Sequence, residues 1–377
     1  MEQNQMKTPK KNGKKILWGI LIVTIAAILG LALFLSLYRP HVNKDPQFST
    51  GSASSSEDSG IGDMLYERKE GFYTFLIAGI DMVSNNTDVL MLASLDTENG
   101  KIQIVQIPRD TYINKTAGGY KNITRVNAIF SAEYNNQTAN GTSAKTATAF
   151  AMQDLQKRLS EALCINIDEY ILIDTKGFRD VIDAVGGIDY DVPQDMFYED
   201  PNQDLYINLT KGYQHLDGTQ CLQLLRYRTG YVTGDIERVE LRGNFMKEVF
   251  KQVKNKFNVD AMITLIQDQS IFQKINTSMS FADLIAYVRM CYQMDGNVVE
   301  VRTIAGSVVQ NPETGAWIYY CLNRQKALKD INECLNVYQN DIDIAIFDPK
   351  ELFSGTKDSS NHYLYEYYHK ETLPTEN

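Results

Sequence analysis

Residues 224–242 read LLRYRTGYVTGDIERVELR. Arg226, Arg228, Arg238 and Arg242 fall within seventeen positions of a chain that is acidic overall. Guanidinium groups this close repel one another unless a carboxylate or an anionic ligand sits among them. Arg226 and Arg228 lie at the end of one predicted helix, where a cation complements the helix dipole. Arg238 lies in the first turn of the next helix, where a cation costs from a few tenths up to ~1 kcal/mol unless compensated. Asp235 is one compensating partner. A bound phosphate is the other, because helix N-termini attract anions and guanidinium forks match phosphate oxygens. Arg242 is one turn beyond Arg238.

Two further segments place charge at strand ends. In GIDMVSNNTDVLML, Asp81 ends one predicted strand and Asp88 opens the next. Two carboxylates across such a junction can share a hard divalent cation such as Mg²⁺; the alternative is that both cap turns. In QIPRDTYI, Arg109 and Asp110 follow a strand and Pro108 fixes the backbone ahead of them. A plain surface ion pair is the simpler account of that dipeptide. Carboxylates for a metal together with several arginines are the equipment of phosphoryl transfer, in which charge on a pyrophosphate is offset while another group attacks.

Histidine chemistry is largely excluded. Of His41, His215, His362 and His369, only His215 falls in the predicted folded body. That leaves one base for a Ser-His-Asp or Cys-His hydrolase, with no serine motif to go with it. The five cysteines are widely spaced without a CxxC, which argues against zinc. Cys164 and Cys221 read as buried small residues, and pairing of Cys321 with Cys334 is left open.

The elements that position these groups follow from periodicity. Strands are predicted at 73–80, 88–96, 101–107, 169–174 and 298–306, with a hairpin at TENG between the second and third. Helices are predicted at 144–163, 176–187, 216–227, 235–257, 281–294 and 324–339. The first carries Ala147, Ala151, Leu155, Leu159 and Leu163 at spacings of four, and Asp217 is a plausible N-cap for the helix at 216–227. The alternation predicts an α/β fold, a mixed central sheet sandwiched by helices.

Residues 16–38 carry no charge and suffice to cross the ~30 Å hydrocarbon core of a bilayer as a helix. The run is longer than a signal-peptide core and no small-x-small site follows it, so one uncleaved transmembrane helix is expected. Residues 1–15 carry five lysines and one acid, which places that end in the cytoplasm. The net charge is −10, leaving −14 on the extracytoplasmic remainder. Such a body lacks the broad basic face of a nucleic-acid binder. The expected organisation is a cytoplasmic stub (1–15), the span (16–38), a Ser/Gly-rich linker (39–65), a catalytic-type domain (66–257), its C-terminal part (258–347) and a polar tail (348–377).

The blocks FLIAGID…TDVLMLASLD, VQIPRDTYI, RVNAIF, IDEYILIDTKGFRDVIDAVGGIDYDVP and GYQHLDGTQCLQLLRYR…GDIERVELR occur in the order seen in the LytR-CpsA-Psr family, which the chain resembles over roughly 72–257. The resemblance implies a phosphotransferase at the outer membrane face. Such an enzyme takes an anionic glycopolymer, such as wall teichoic acid or capsule, from a polyprenyl-pyrophosphate carrier and joins it through a phosphodiester to a peptidoglycan sugar hydroxyl. It implies Asp81 and Asp88 as ligands to Mg²⁺ or Mn²⁺. It also implies Arg109, Arg226, Arg228 and Arg238 on the pyrophosphate, with Asp235 an acidic residue of the same motif. The base for the acceptor hydroxyl is left between Asp110 and Asp235.

Four positions depart from the pattern. Val83 and Asn86 stand where arginines are expected, and Arg238-Val239-Glu240-Leu241-Arg242 replaces Arg-x-x-Arg-Gln. Charge-assisted hydrogen bonds are worth ~1.5–3 kcal/mol each, so losing two weakens pyrophosphate binding by orders of magnitude unless Arg242, Lys115 or Lys121 compensates. The alternative reading is therefore a membrane-anchored binding protein for a polyprenyl-linked polymer or wall component, without efficient transfer.

Overall fold

The computed structural model describes residues 38–42, 66–80, 85–113, 124–201, 205–227, 235–268, 273–294, 299–310 and 317–347, with the backbone alone at 235–238, 309–310 and 317–318. The predicted span, except Tyr38, the linker from residue 43 and the tail lie outside these residues. Among the described residues no helix is long and apolar enough to cross a membrane.

The chain opens with three antiparallel strands, β1 (Phe72–Ile80), β2 (Thr87–Asp96) and β3 (Lys101–Gln106), joined by the expected turn. Two helices follow, α1 (Ala128–Ala139) and α2 (Ala144–Leu163). Ser143 caps α2 by accepting from Thr146 N, and the predicted stripe Ala147, Ala151, Leu155, Leu159 and Leu163 is buried. Next come β4 (Glu169–Asp174) and α3 (Thr175–Ala184), the latter capped by Asp174. The stretch β5 (Ile188–Val192), β6 (Met196–Asp200), β7 (Leu205–Leu209) and β8 (Gly212–Leu216) pairs β5 with β8 and β6 with β7. Asp217 and Gln220 form a capping box at the start of α4 (Gly218–Arg226). Then follow α5 (Asp235–Lys256), α6 (Val259–Gln267), β9 (Ile275–Thr277) and α7 (Phe281–Gln293). The described chain closes with β10 (Val299–Thr303), β11 (Gly306–Gln310), β12 (Trp317–Leu322) and α8 (Arg324–Cys334).

The central sheet has the order β10-β3-β2-β1-β4-β9 and is mixed. β1 is parallel to β4 and β3 is parallel to β10, while β2 and β9 run the other way. The C-terminal ends of β1, β3, β4 and β10 therefore share one edge with the start of β2. Helices cover both faces, which is why β1 is apolar at nearly every position. On one face α1, α2 and α8 enclose Leu76, Leu92 and Val105. On the other, α7 packs on Tyr73 and Leu95, and α5 brings Met246 against Met91 and Ile104. A further cluster joins the short hairpins to α3, α4 and α5. Tyr38 and Val42 pack beside Tyr73 and Leu95, and Pro40 is buried.

Two predicted boundaries differ. The strand predicted over 298–306 is β10 and the first residue of β11, separated at 304–305. The helix predicted to 339 stops at Cys334, because Asn336 turns the chain: its Oδ1 accepts from Tyr338 N and its Nδ2 donates to Asn340 O. The cysteines are free: Cys321 and Cys334 are both buried but belong to different clusters.

Candidate active site

The sheet edge where β1, β3, β4 and β10 end gathers the predicted charged residues that are described. After β3 the chain turns at Pro108, whose carbonyl accepts from both the amide and the hydroxyl of Thr111. Asp110 O accepts from Tyr320 N, and Tyr112 N donates to Tyr320 O, so β12 holds this segment on its far side. On its near side Asn127 N donates to Arg109 O, while Asn127 O accepts from Thr87 beside Asp88. The start of β2, the end of β3 and the turn before α1 are thereby locked together through their backbones.

Their side chains form a chain of alternating charge. Arg109 Nη1 lies 3.1 Å from Asp88 Oδ1. Arg109 Nε lies 3.4 Å from Asp110 Oδ2, and Asp110 Oδ1 lies 3.2 Å from Arg125 Nε. Asp110 thus spends both oxygens on arginines. The four side chains are 20–43% exposed, so each pair contributes about 0–1 kcal/mol. What the chain supplies is orientation. Arg125 also rests over the Tyr319 ring, 5.3 Å from its centroid, and the Tyr319 hydroxyl bonds Thr124 Oγ1 at 3.1 Å. Sequence reasoning missed Arg125 as a site residue. Its only signal was its place at the head of the RVNAIF block.

Asp88, Arg109 and Asp110 are brought into direct contact. Asp81 and Arg228 lie outside the described residues, as do Val83, Lys115 and Lys121; β1 ends at Ile80, one residue before Asp81. Asp235 and Arg238 occupy the first turn of α5, described by its backbone. Arg226 stands in the last turn of α4, partly buried, and Arg242 is buried in α5. Asn86 is tied to α1, its Oδ1 accepting from Ser131 Oγ at 2.9 Å. His215 sits on β8 rather than in a turn, 2.8 Å from Asp189 on β5, as an exposed cross-strand pair.

A cleft of about 580 Å³ opens beside the charge chain. Asp110 and Pro108 reach it from the end of β3, Val239, Glu240, Gly243 and Asn244 from α5, and Tyr319 and Tyr320 from β12. Two contacts bring α5 this close to the sheet. Gln106 Nε2 donates to Val239 O at 2.8 Å, and Gly243 leaves room where a Cβ would stand 2.9 Å from Val301 Cγ1.

Among the described residues no group of three or more His, Cys, Asp or Glu side chains gathers as a metal site. The donor chemistry still suits a hard cation. Asp88 keeps Oδ2 clear of any described partner, and Mg²⁺ takes one or two carboxylates with substrate phosphates completing its shell.

The LytR_cpsA_psr family model matches residues 38–336. The chain belongs to the LytR-CpsA-Psr family. Among its relatives is the polyisoprenyl-teichoic acid–peptidoglycan teichoic acid transferase TagV of Bacillus subtilis (strain 168), 23% identical over 334 residues, covering 86% of this chain and 80% of that one. The similarly named TagU of Bacillus cereus (strain ATCC 14579) is 28% identical over 244 residues, 63% of this chain and 71% of that one. The crystal structure of Bacillus subtilis TagV superposes with a TM-score of 0.53 at 22% identity, covering 69% of this chain and 94% of that one. Protein gbs0355 from Streptococcus agalactiae gives 0.57 at 16% identity, covering 81% and 96%. These likenesses establish the mixed α/β fold of this LytR-CpsA-Psr protein.

Proposed function

We propose that this LytR-CpsA-Psr protein is a membrane-anchored phosphotransferase that moves an anionic glycopolymer from a polyprenyl-pyrophosphate carrier to a peptidoglycan sugar hydroxyl. The observation that carries the reading is the Asp88–Arg109–Asp110–Arg125 chain beside a cleft at the C-terminal sheet edge. The names of TagV and TagU as teichoic acid transferases support it. The uncharged run at 16–38 is the proposed single-pass anchor, with the N-terminus cytoplasmic and the main domain outside.

In this reading the acceptor hydroxyl oxygen attacks the phosphorus that bears the polymer. A new P–O bond forms, the bond to the bridging oxygen breaks, and polyprenyl phosphate leaves. Arg109, held at two points by Asp88 and Asp110, is oriented toward the developing charge. Arg226, Arg228, Arg238 and Arg242 hold the remaining phosphate oxygens. Of the two candidate proton acceptors Asp235 is preferred, since Asp110 is committed to two arginines. Asp81 and Asp88 would hold Mg²⁺ or Mn²⁺, which when bound neutralises pyrophosphate charge.

One observation favours the second reading, a binding protein without efficient transfer. Asn86 puts a neutral amide, bonded to α1, where the family pattern has an arginine. Calorimetry of the full chain in detergent with a short-chain polyprenyl pyrophosphate, with and without Mg²⁺, followed by transfer to peptidoglycan, separates the two. Binding and transfer both lost in Arg109→Ala support the transferase. Binding without transfer in the wild type supports the second reading.

A further inference from the structure

Helix α5 carries two stripes of opposite character. At 3.6 residues per turn, positions 235, 238 and 242 share one side and positions 240 and 244 the other, with Val239 and Gly243 between them. The first stripe reads Asp-Arg-Arg. The second, Glu240 and Asn244, lines the cleft.

The charges of that lining are unevenly committed. The one cation among its described lining residues, Arg302, is held by three carboxylates: Glu333 at 2.7 Å, Asp330 at 3.4 Å and Glu300 at 3.8 Å. Asp110 is held by two arginines. Glu240 is exposed and has no ion-pair partner among the described residues. The Asn244, Thr303 and Ser307 side chains likewise have no hydrogen-bond partner there. Val239, Val301, Tyr319 and Tyr320 supply apolar and aromatic surface. The volume falls within the ~300–1,000 Å³ of small-ligand sites. Uncommitted neutral donors and acceptors, ring surface and one uncompensated negative charge suit a polyhydroxylated ligand that is neutral or carries an amine. They oppose an anion, because like charges at close quarters cost affinity.

We infer that this cleft is the acceptor-side subsite, that it takes a neutral or amino-bearing saccharide and rejects anionic ones, and that Glu240 is its specificity-determining residue. The inference rests on the transferase reading and refines it: one helix keeps the anionic donor on its arginine side and admits the acceptor on its glutamate side. An anionic polymer is thereby kept from entering as its own acceptor.

The test uses the full chain in detergent and two probes, an uncharged di-N-acetylated hexosamine disaccharide and its monophosphate, each titrated at low salt by calorimetry. The neutral probe is expected to bind about tenfold more tightly than the phosphate, and Glu240→Gln to shrink that ratio below about threefold. Asn244→Ala is expected to weaken the neutral probe about threefold while leaving the ratio intact. Polyprenyl pyrophosphate binding, measured separately, stays unchanged in both variants. The inference is overturned if neither probe binds, if the phosphate binds as well as the neutral sugar, or if the ratio survives Glu240→Gln. Failure of the transferase reading would show instead as pyrophosphate binding without transfer to peptidoglycan, or as no pyrophosphate binding at all, neither of which the saccharide titration depends on.

Discussion

Arg125 covers Asp110: its Nε lies 3.2 Å from Asp110 Oδ1 while its guanidinium rests on the Tyr319 ring. A residue held on two sides in this way positions its partner by geometry as well as by charge. Lysine keeps the charge but loses the planar fork and the stacking. Arg125→Ala is expected to lower transfer about 10- to 100-fold, with the melting temperature within about 2 °C of wild type. Arg125→Lys should recover only part of that loss. Full recovery with lysine in a peptidoglycan transfer assay would reduce Arg125 to a source of charge.

Asp88 anchors Arg109 and is a proposed metal ligand, two roles that one substitution separates. Asp88→Asn keeps a hydrogen-bond acceptor for Arg109 Nη1 but removes the carboxylate charge a hard cation needs. The Mg²⁺ concentration for half-maximal transfer is expected to rise at least about tenfold. An unchanged Mg²⁺ requirement, read from transfer rates across a metal titration, would take Asp88 out of the metal site.

Gly243 sets the distance between α5 and the sheet, and hence the width of the cleft. A Cβ there would meet Val301 Cγ1 at 2.9 Å and Gln106 Nε2 at 3.1 Å. Alanine gains up to ~1 kcal/mol in helix propensity, but overpacking costs about 1–3 kcal/mol. Gly243→Ala is expected to lower the melting temperature by a few degrees. A rise on calorimetric scanning would mean that Val301 gives way freely.

Burial pushes the Cys221 and Cys321 thiols up to about 12 and those of Cys291 and Cys334 up to about 11. The thiolate is the reactive form, so between pH 7 and 9 these groups stay protonated and react slowly. A colorimetric thiol reagent at pH 8 is expected to find fewer than one fast thiol per native chain. It should find five after unfolding without reductant. A count of three would reveal a bridge.

The core of the fold was legible because its elements are covered on both faces or on one clear stripe. β1 and β4 are short apolar runs between turn signals, and α2 repeats its apolar residues every four positions. α1 escaped notice because its apolar residues, Ile129 and Phe130, lie in one turn and AEYNNQTA follows. The hairpins β5–β8 and β6–β7 expose one face and alternate only weakly, so their pattern resembles loop. In the candidate site, Asp88, Arg109 and Asp110 could be chosen from sequence because each stands at a strand end. Arg125 could not, since its role depends on Tyr319, which lies nearly two hundred residues away in the chain and approaches only through β12.

Tyr38 and Val42 pack where β1 begins, whereas Asp88 and Arg109 stand where β1 ends. At ~3.4 Å per residue the strand separates the two by as much as about 25 Å. Were the proposed anchor before Tyr38 seated in a bilayer with β1 along the bilayer normal, the phosphates of the proposed reaction would stand clear of the lipid headgroups by up to that distance. In that arrangement the proposed carrier would have to be lifted, its first isoprene units leaving the membrane to lie along the protein. Isoprenoid length would then enter the recognition alongside charge: a carrier too short to bridge that height while staying rooted in the bilayer would have to abandon the membrane altogether.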